Sequence, residues 1–583
     1  MANIMSLKSL RNKVSRNGFD LSSKRNFTAK AGELLPVKCW EVLPSDTFKL
    51  DLKSFTRTQP LNTAAFARMR EYYDFYFVPY DLLWNKANTV LTQMYDNPQH
   101  AISLDPTVNF VLSGDMPYIT CSDIANYLNQ IADDVESEAI SQNYFGYNRG
   151  LCSAKLLEYL GYGNFFPYAE SSGTTWTSKP LLQNLQLNVF GLLAYQKIYA
   201  DYYRDSQWER ISPSTFNVDY MDGQDMQVDI SGTTRFLENY SFFDLRYCNW
   251  QKDLFHGVVP RQQYGDVAVV SSIGNVTLNG NNVLNTSALG STTANSNIKL
   301  ATGSAAVGTS MMANSQFSIL VLRQAEFLQK WKEITQSGNK DYKEQIEKHW
   351  NVSPGDGFSE MCTYLGGIAN SMDINEVVNN NITGNNAADI AGKGVGLGNG
   401  TISFNSQGRY GLVMCIYHCL PLIDYTTDMV SPVFTKVNAA DYAIPEFDRV
   451  GMQLVDLSWM SNGVVSDYLG NDGVTFLGYA PRYIDYKTDV DSSVGAFKRS
   501  LNSWVISYNN ISLANQLGSV DSNNQPTPSA APLNYTMFKV NPSSLNPLFA
   551  VKVDSSVDTD QFLCSSFFDV KVVRNLDTDG LPY

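Results

Sequence analysis

A two-residue alternation near the start of the chain constrains the fold most. In residues 46–54, Phe48, Leu50 and Leu52 point one way and Lys49, Asp51 and Lys53 the other, which is the period of a strand with one buried face. Residues 34–42 before it and 71–78 after it also read as strands, the second rich in Tyr and Phe. Strand patterns return from Thr401 onward, most clearly over 411–420, 474–486, 501–508 and 562–573. Strands at both ends with other structure between them imply one β domain closed by its two termini. A jelly roll has that property, because its first and last strands meet in the same pair of sheets.

The middle of the chain changes character. Ser122 is placed to cap a short helix with Ile124, Tyr127, Leu128 and Ile131 on one face, and Leu192, Tyr195, Ile198, Tyr199 and Tyr202 give a second helical stripe. A longer helix is predicted over 316–336, with Leu320, Phe327, Leu328, Trp331 and Ile334 as its apolar stripe and Gly338 as its stop. Another is predicted over 341–350, ending before Ser353-Pro354-Gly355-Asp356-Gly357. Residues 271–315, rich in Ser, Asn, Thr and Gly, and residues 379–400, with Gly392, Gly394, Gly396, Gly398 and Gly400, read as loops. The expected organisation is a basic arm over 1–18 and a single jelly-roll domain over 19–583. Its insertions fall at roughly 105–185, 190–260 and 265–400.

Charge is unevenly spread. Residues 1–30 hold Lys8, Arg11, Lys13, Arg16, Lys24, Arg25 and Lys30 against Asp20 alone, so the segment is +6 and the rest of the chain, whose total is −14, is −20. Spaced bases on a flexible segment neutralise phosphates without reading sequence, which makes Lys8, Arg11, Lys13, Arg16, Lys24 and Arg25 the candidate nucleic-acid contacts. The plainer readings are a solvated tail, or an amphipathic helix with Ile4, Leu7, Leu10 and Val14 on one side. Only 17 % of residues are charged and 12 % are aromatic, which suits a surface covered by neighbouring subunits and equally a β fold that uses Tyr in its strands. The eight Cys lie far apart, as in a reducing compartment. Lys8, Arg11, Lys13 and Arg16 interrupt any secretory h-region. The longest apolar run, 410–423, contains His418 and Pro421, so no membrane insertion is expected.

Catalytic chemistry finds no constellation. The chain has four His, no His-Glu-x-x-His and no Gly-x-Ser-x-Gly. The glycine run over 392–400 has neither a P-loop nor a dinucleotide pattern. Cys415 and Cys419 on a strand would stand about 13 Å apart with His418 on the opposite face, too far for one zinc ion. Acidic pairs such as Asp133 and Asp134 resemble what a glycosidase needs, but nothing pairs any particular two carboxylates. No catalytic residue, metal ligand or cofactor is assigned.

Phe19-Asp20-Leu21-Ser22-Ser23-Lys24-Arg25-Asn26-Phe27-Thr28 and then Glu41-Val42-Leu43-Pro44-Ser45-Asp46-Thr47-Phe48 open a series of motifs that, in order, resembles the major capsid proteins of microviruses, with the gokushovirus and Bacteroidetes-phage branches most similar. Tyr76-Phe77-Val78-Pro79-Tyr80-Asp81-Leu82-Leu83-Trp84 and Tyr202-Tyr203-Arg204-Asp205 follow. The most specific is Leu322-Arg323-Gln324-Ala325-Glu326-Phe327-Leu328-Gln329-Lys330-Trp331, trailed by 341–352, Tyr364-Leu365-Gly366-Gly367 and Ile374-Asn375-Glu376-Val377. Gly478-Tyr479-Ala480-Pro481-Arg482-Tyr483 and Val570-Lys571-Val572-Val573-Arg574-Asn575-Leu576 complete the series. The resemblance implies an eight-stranded antiparallel viral jelly roll, a β-sandwich with large helical and loop insertions. It implies self-assembly into a T=1 icosahedral shell around circular single-stranded DNA, and no catalytic residues. The expected partners are further copies of the chain, the DNA genome, minor capsid, pilot or scaffold proteins and a host cell-surface receptor. The expected location is the virion, after assembly in the bacterial cytoplasm. Within the motifs, Lys24 and Arg25 are alternatively anchors of the arm to a neighbouring chain. Two other functions fit the composition: a secreted all-β glycan-binding or glycan-cleaving protein, and a cytosolic nucleic-acid-binding protein, which the −20 body opposes.

Overall fold

The computed structural model describes residues 15–92, 116–131, 145, 147–169, 183–209, 211–221, 227–228, 241–263, 319–339, 341–355, 359–378, 390–461, 476–508, 535–554 and 556–578. The chain forms two compact units, residues 1–261 with 359–583, and residues 262–358. The strands are β1 (Asn17–Asp20), β2 (Ser23–Ala29), β3 (Leu35–Val42), β4 (Thr47–Thr58), β5 (Arg68–Pro79), β6 (Tyr118–Thr120), β7 (Gln186–Asn188) and β8 (Thr363–Val378). They continue as β9 (Ile390–Asn405), β10 (Gly411–Leu422), β11 (Asp424–Tyr425), β12 (Met452–Asp456), β13 (Phe476–Pro481), β14 (Ser507–Tyr508) and β15 (Phe562–Arg574).

Nine strands of the first unit pair antiparallel in the order β1-β15-β4-β9-β8-β5-β10-β3, with β2 continuing β1 along the same edge of β15. Counted as one interrupted strand, β1 and β2 make this an eight-stranded jelly roll. One sheet is β2-β15-β4-β9, the other β8-β5-β10-β3, and the β8–β9 hairpin joins them. The chain's first and last strands are neighbours, as expected from the sequence. Cross-sheet contacts fill the interior. Phe27 meets Tyr417 at 5.0 Å, Trp40 meets Phe568 at 5.5 Å, Phe77 meets Phe404 at 4.7 Å, and Tyr73 and Ser566 share a hydroxyl hydrogen bond of 2.9 Å.

The two sheets differ on their outer faces. β10 is buried on both sides along most of its length, because helices lie over β3, β5 and β10. The helix Arg149–Leu160 is capped by the Asn148 side chain, which accepts from the Leu151 amide, and ends at Gly161 with φ +94°. It packs on β3. The helix Phe190–Ile198 continues as a π turn through Tyr203. From this segment Tyr195 donates to the Leu34 carbonyl at 2.9 Å and Tyr203 to Asp74 at 2.9 Å. By contrast β4 and β15 alternate strictly between buried and open positions, so their outer side is bare.

Several expectations need correction. Ser122 lies inside the helix Cys121–Ile131, and Thr120 caps it by accepting from the Asp123 amide at 3.2 Å. The predicted strands over 474–486 and 501–508 shrink to β13 and β14, because short 3₁₀ turns at Ile484–Tyr486 and Asn502–Trp504 interrupt them. The described part of the glycine-rich stretch 379–400 is a strand, not a loop, and β8 and β9 fall within the stretch 265–400 expected as insertion. The alternation of Gly392 to Gly400 is strand periodicity. A Cβ at Gly392 would stand 2.4 Å from the Thr63 carbonyl, and one at Gly400 would stand 2.5 Å from Ile368 Cγ1. Glycine occupies the inward positions because neighbouring atoms already fill the space. Residues 271–315 lie outside the described residues. In the second unit, the helices Ile319–Gln336 and Tyr342–Trp350 form a hairpin in which Trp331 stacks on His349 at 6.0 Å and Lys348 donates to the Ser337 carbonyl at 2.9 Å.

A buried ion cluster ties distant parts of the first unit. Lys155 Nζ lies 2.7 Å from Glu33 and 2.9 Å from Asp560, and Lys30 Nζ lies 3.0 Å from Asp560. Burial alone would lower the Lys155 pKa, but Asp560 and Glu33 outweigh it and hold it above the usual lysine value. Burial would likewise raise the Asp560 pKa, but Lys155 and Lys30 hold it below the usual carboxylate range. Substituting Lys155→Met strands two carboxylates against one base and should cost about 3–5 kcal/mol of stability at neutral pH, read from chemical denaturation. The depressed Asp560 contributes stability above its unfolded value of about 3.9 and loses it as pH falls through the folded value. The difference between variant and wild type should therefore shrink in strong acid, and a difference unchanged from pH 7 to pH 2 would contradict this assignment.

Candidate functional site

Of the six candidate nucleic-acid contacts, Lys8, Arg11 and Lys13 lie outside the described residues. Arg16 donates to Thr47 Oγ1 at 2.8 Å and to the Ser45 carbonyl at 3.1 Å, which fixes the root of the arm at the start of β4. Lys24 stands exposed on β2, directly opposite Phe567 of β15. Arg25 points the other way. Its guanidinium donates to the Tyr159 carbonyl at 2.9 Å and lies 5.9 Å from the Tyr159 ring centroid, at the C-terminal end of the helix Arg149–Leu160, where the helix dipole favours a cation. Burial lowers its pKa, with Tyr159 and Glu158 opposing. Arg25 thus anchors β2 to its own chain's helix.

The bare face of the β2-β15-β4-β9 sheet carries residues that sequence reading did not gather. Pairing aligns them in rows: Lys24–Phe567–Lys53–Asn399, Asn26–Ser565–Phe55–Leu397, and Thr28–Leu563–Arg57–Val395. Leu397 is 70 % exposed, Leu563 43 % and Phe567 41 %. The Arg57 guanidinium lies 4.8 Å from the Phe55 ring centroid. Lys571 pairs with Asp20 at 2.5 Å and with Asp569 at 3.2 Å. Lys24, Lys49, Lys53 and Arg57 form no ion pair among the described residues. The alternation of β4 exposed Lys49 and Lys53 to sequence reading, but the register with β15 and β2 that sets aromatic side chains between bases was not legible.

A second surface is apolar. The segment 431–450 runs through three short turns, Pro432–Phe434, Ala439–Asp441 and Pro445–Phe447, and holds its shape by local hydrogen bonds, among them Asp441 accepting from the Val437 and Asn438 amides. Yet Phe434 is 80 % exposed and Val437 82 %, with Tyr442, Phe447 and Val450 also open. A conformation this ordered with its apolar side chains outward is the composition of an interaction surface. In the second unit Phe327, Leu328 and Trp331, from the predicted apolar stripe of the helix Ile319–Gln336, are likewise exposed.

The remaining chemical candidates do not converge. His418 is buried, stacked on Tyr72 at 4.9 Å, and burial pushes its pKa down to about 3. Burial pushes the Cys415 and Cys419 thiols up, so all three are neutral packing groups of β10. Asp133 and Asp134 lie outside the described residues. Among the described residues no group of three or more His, Cys, Asp or Glu is arranged to hold a metal ion, and no helix is long and apolar enough to cross a membrane.

Residues 8–149 and 171–583 match the family described as capsid protein (F protein). The chain is 23 % identical over 640 aligned residues to capsid protein VP1 of Chlamydia phage 1, an alignment covering 98 % of this chain and 96 % of that protein. A jelly roll closed by both termini, a surface with ordered apolar side chains turned outward, and a match along nearly the whole length together place the chain in the phage capsid protein (F protein) family.

Proposed function

We propose that this chain is the major capsid protein of a microvirus and self-assembles into a T=1 icosahedral shell enclosing circular single-stranded DNA. The observation that carries the reading is the jelly-roll strand order in a chain that aligns with a capsid protein over almost its full length. The role is structural and not enzymatic. Assembly takes place in the bacterial cytoplasm, with minor capsid, pilot or scaffold proteins as further partners, and outer loops contribute to host attachment. The arm residues Lys8, Arg11, Lys13 and Arg16, together with Lys24, face the genome, whereas Arg25 is taken up by the Tyr159 carbonyl of its own chain. The glycan-binding alternative has no observation in its favour.

Expression of the full chain, followed by electron microscopy of the purified material, should show closed isometric particles. Nucleic acid recovered from particles made during infection should be sensitive to a single-strand nuclease once released. A monomer that binds oligosaccharide, with no particles under any condition, would overturn the reading.

The exposed segment 431–450 should lie at a contact between copies. Phe434→Asp combined with Val437→Asp should prevent particle formation while the unfolding midpoint of the unassembled chain stays within a few degrees of wild type, since both side chains are solvent-facing. Normal particles from this variant would remove the segment from the interface.

For the arm, Lys8→Gln with Arg11→Gln and Lys13→Gln should reduce the slope of log affinity for single-stranded DNA against log salt by roughly 2, three phosphate contacts at about 0.7 each. An unchanged slope would make the arm a solvated tail.

A further inference from the structure

We infer that the bare outer face of the β2-β15-β4-β9 sheet is itself a binding platform for single-stranded nucleic acid, separate from the arm, on which bases stack on Phe567 and Phe55 while Lys24, Lys49, Lys53 and Arg57 hold the phosphates. This rests on the capsid reading and names the surface that the genome would touch.

Sequence-independent binding of a single strand needs a cationic track with aromatic side chains set along it, because every base offers a π-face and every nucleotide a phosphate. The sheet supplies both in one plane. Phe567 has Lys24 on one neighbouring strand and Lys53 on the other, at the sheet's strand spacing of about 4.8 Å. Phe55 follows Lys53 on the same side of β4 and precedes Arg57, whose guanidinium lies beside its ring. The outward side chains of these strands and β1 comprise six bases, Lys24, Lys49, Lys53, Arg57, Lys393 and Lys571, against three acids, Asp20, Asp51 and Asp569. The chain as a whole carries −14, so this face is a local reversal of sign.

Three acids are already engaged. Asp20 and Asp569 neutralise Lys571, and Asp51 accepts from the Thr401 hydroxyl. That leaves five bases, Lys24, Lys49, Lys53, Arg57 and Lys393, without ion-pair partners among the described residues, beside exposed Phe567, Leu563 and Leu397. A protein partner accounts for the aromatic side chains but not for Lys24, Lys49 and Lys53 among them, since protein interfaces are depleted in Lys at their centre. Continuity with the arm adds to the argument. Arg16, the described base at the root of the arm, is bound to Thr47, the first residue of β4, which shares its side of the strand with Lys49 and Lys53.

The test uses the purified full chain and a fluorescently labelled oligodeoxythymidine, with anisotropy measured across a salt series. Lys49→Gln with Lys53→Gln and Arg57→Gln should lower the salt slope by roughly 2. Phe567→Ala should weaken binding about tenfold with the slope unchanged, because stacking is not ionic. Phe567→Leu keeps apolar volume and should show the same loss with the unfolding midpoint retained, which separates stacking from folding. Arg499→Gln, an exposed base on another part of the first unit, should change neither. Wild-type slope and affinity in the triple variant, with the loss confined to the arm variant, would overturn the platform and leave the capsid reading standing. Loss of particles by Phe567→Ala with DNA binding unchanged would make the face a contact between copies. A wild-type chain that binds no oligonucleotide, from particles that hold no single-stranded DNA, would overturn both.

Discussion

The first unit depends on one pairing. β15, the last strand, lies between β2 and β4, with Phe562 opposite Ala29 and Thr58, and Phe568 opposite Ser23 and Leu52. Its inward side chains Phe562, Phe568, Val570 and Val572 are fully buried. Without β15, β4 becomes an open edge and β1 and β2 have nothing to pair with. Joining strands from opposite ends of a long chain sounds costly, but closure entropy grows only with the logarithm of loop length. Each doubling of the intervening chain therefore adds only about 0.6 kcal/mol. This explains how a jelly roll tolerates insertions longer than itself, provided the terminal strands keep their register. The ion cluster reinforces the same junction, since Asp560 precedes β15, Lys30 and Glu33 lie between β2 and β3, and Lys155 comes from a helix in the longest insertion.

That insertion also decides which surfaces remain. The helices Arg149–Leu160 and Phe190–Ile198 pack on β3, β5 and β10, and β10 is buried on both faces along most of its length. Among the described residues nothing covers the opposite sheet in this way, and β4 and β15 keep the strict alternation of a half-buried surface. An uncovered sheet face normally carries short polar side chains. Here it carries Phe55, Leu397, Leu563 and Phe567 among bases, so its composition reflects use beyond solvation.

How much of this was legible follows from where the signal is stored. β4 and β15 were visible because one face is apolar and the other charged, so each strand carries its own period. β9 was not, since its inward positions are glycines forced by crowding from Thr63, Ile368 and Asn370, which removes the apolar half of the pattern. The helix over 319–336 was legible as a helix, but a stripe of Phe327, Leu328 and Trp331 looks the same whether it meets its own chain or another. The ion cluster joins residues 30, 33, 155 and 560, and no local pattern announces such a set. The rows of the bare face are cross-strand objects, created by register, and sequence holds only their separate pieces. The jelly-roll expectation came from strand patterns at both ends of the chain and from the family resemblance, while the strand order itself is a property of the folded chain.

The acidic total of the chain has a narrower meaning than it first suggests. A net charge of −14 spread over 33,777 Å² of surface is sparse, and at physiological ionic strength exposed charges are screened beyond a Debye length of about 8 Å. A phosphate approaching the sheet responds to the side chains within roughly that radius, not to acids elsewhere on the molecule. Lys24 and Lys53 flank Phe567 well inside that distance, and Lys571 is the base whose charge is cancelled locally. Net charge therefore bears on solubility and on the spacing of whole particles, whereas the sign of a contact is set strand by strand. The +6 segment, whose residue Arg16 donates to Thr47, and the sheet face are local exceptions of the same sign, and an acidic body is compatible with a polyanionic cargo wherever such exceptions occur.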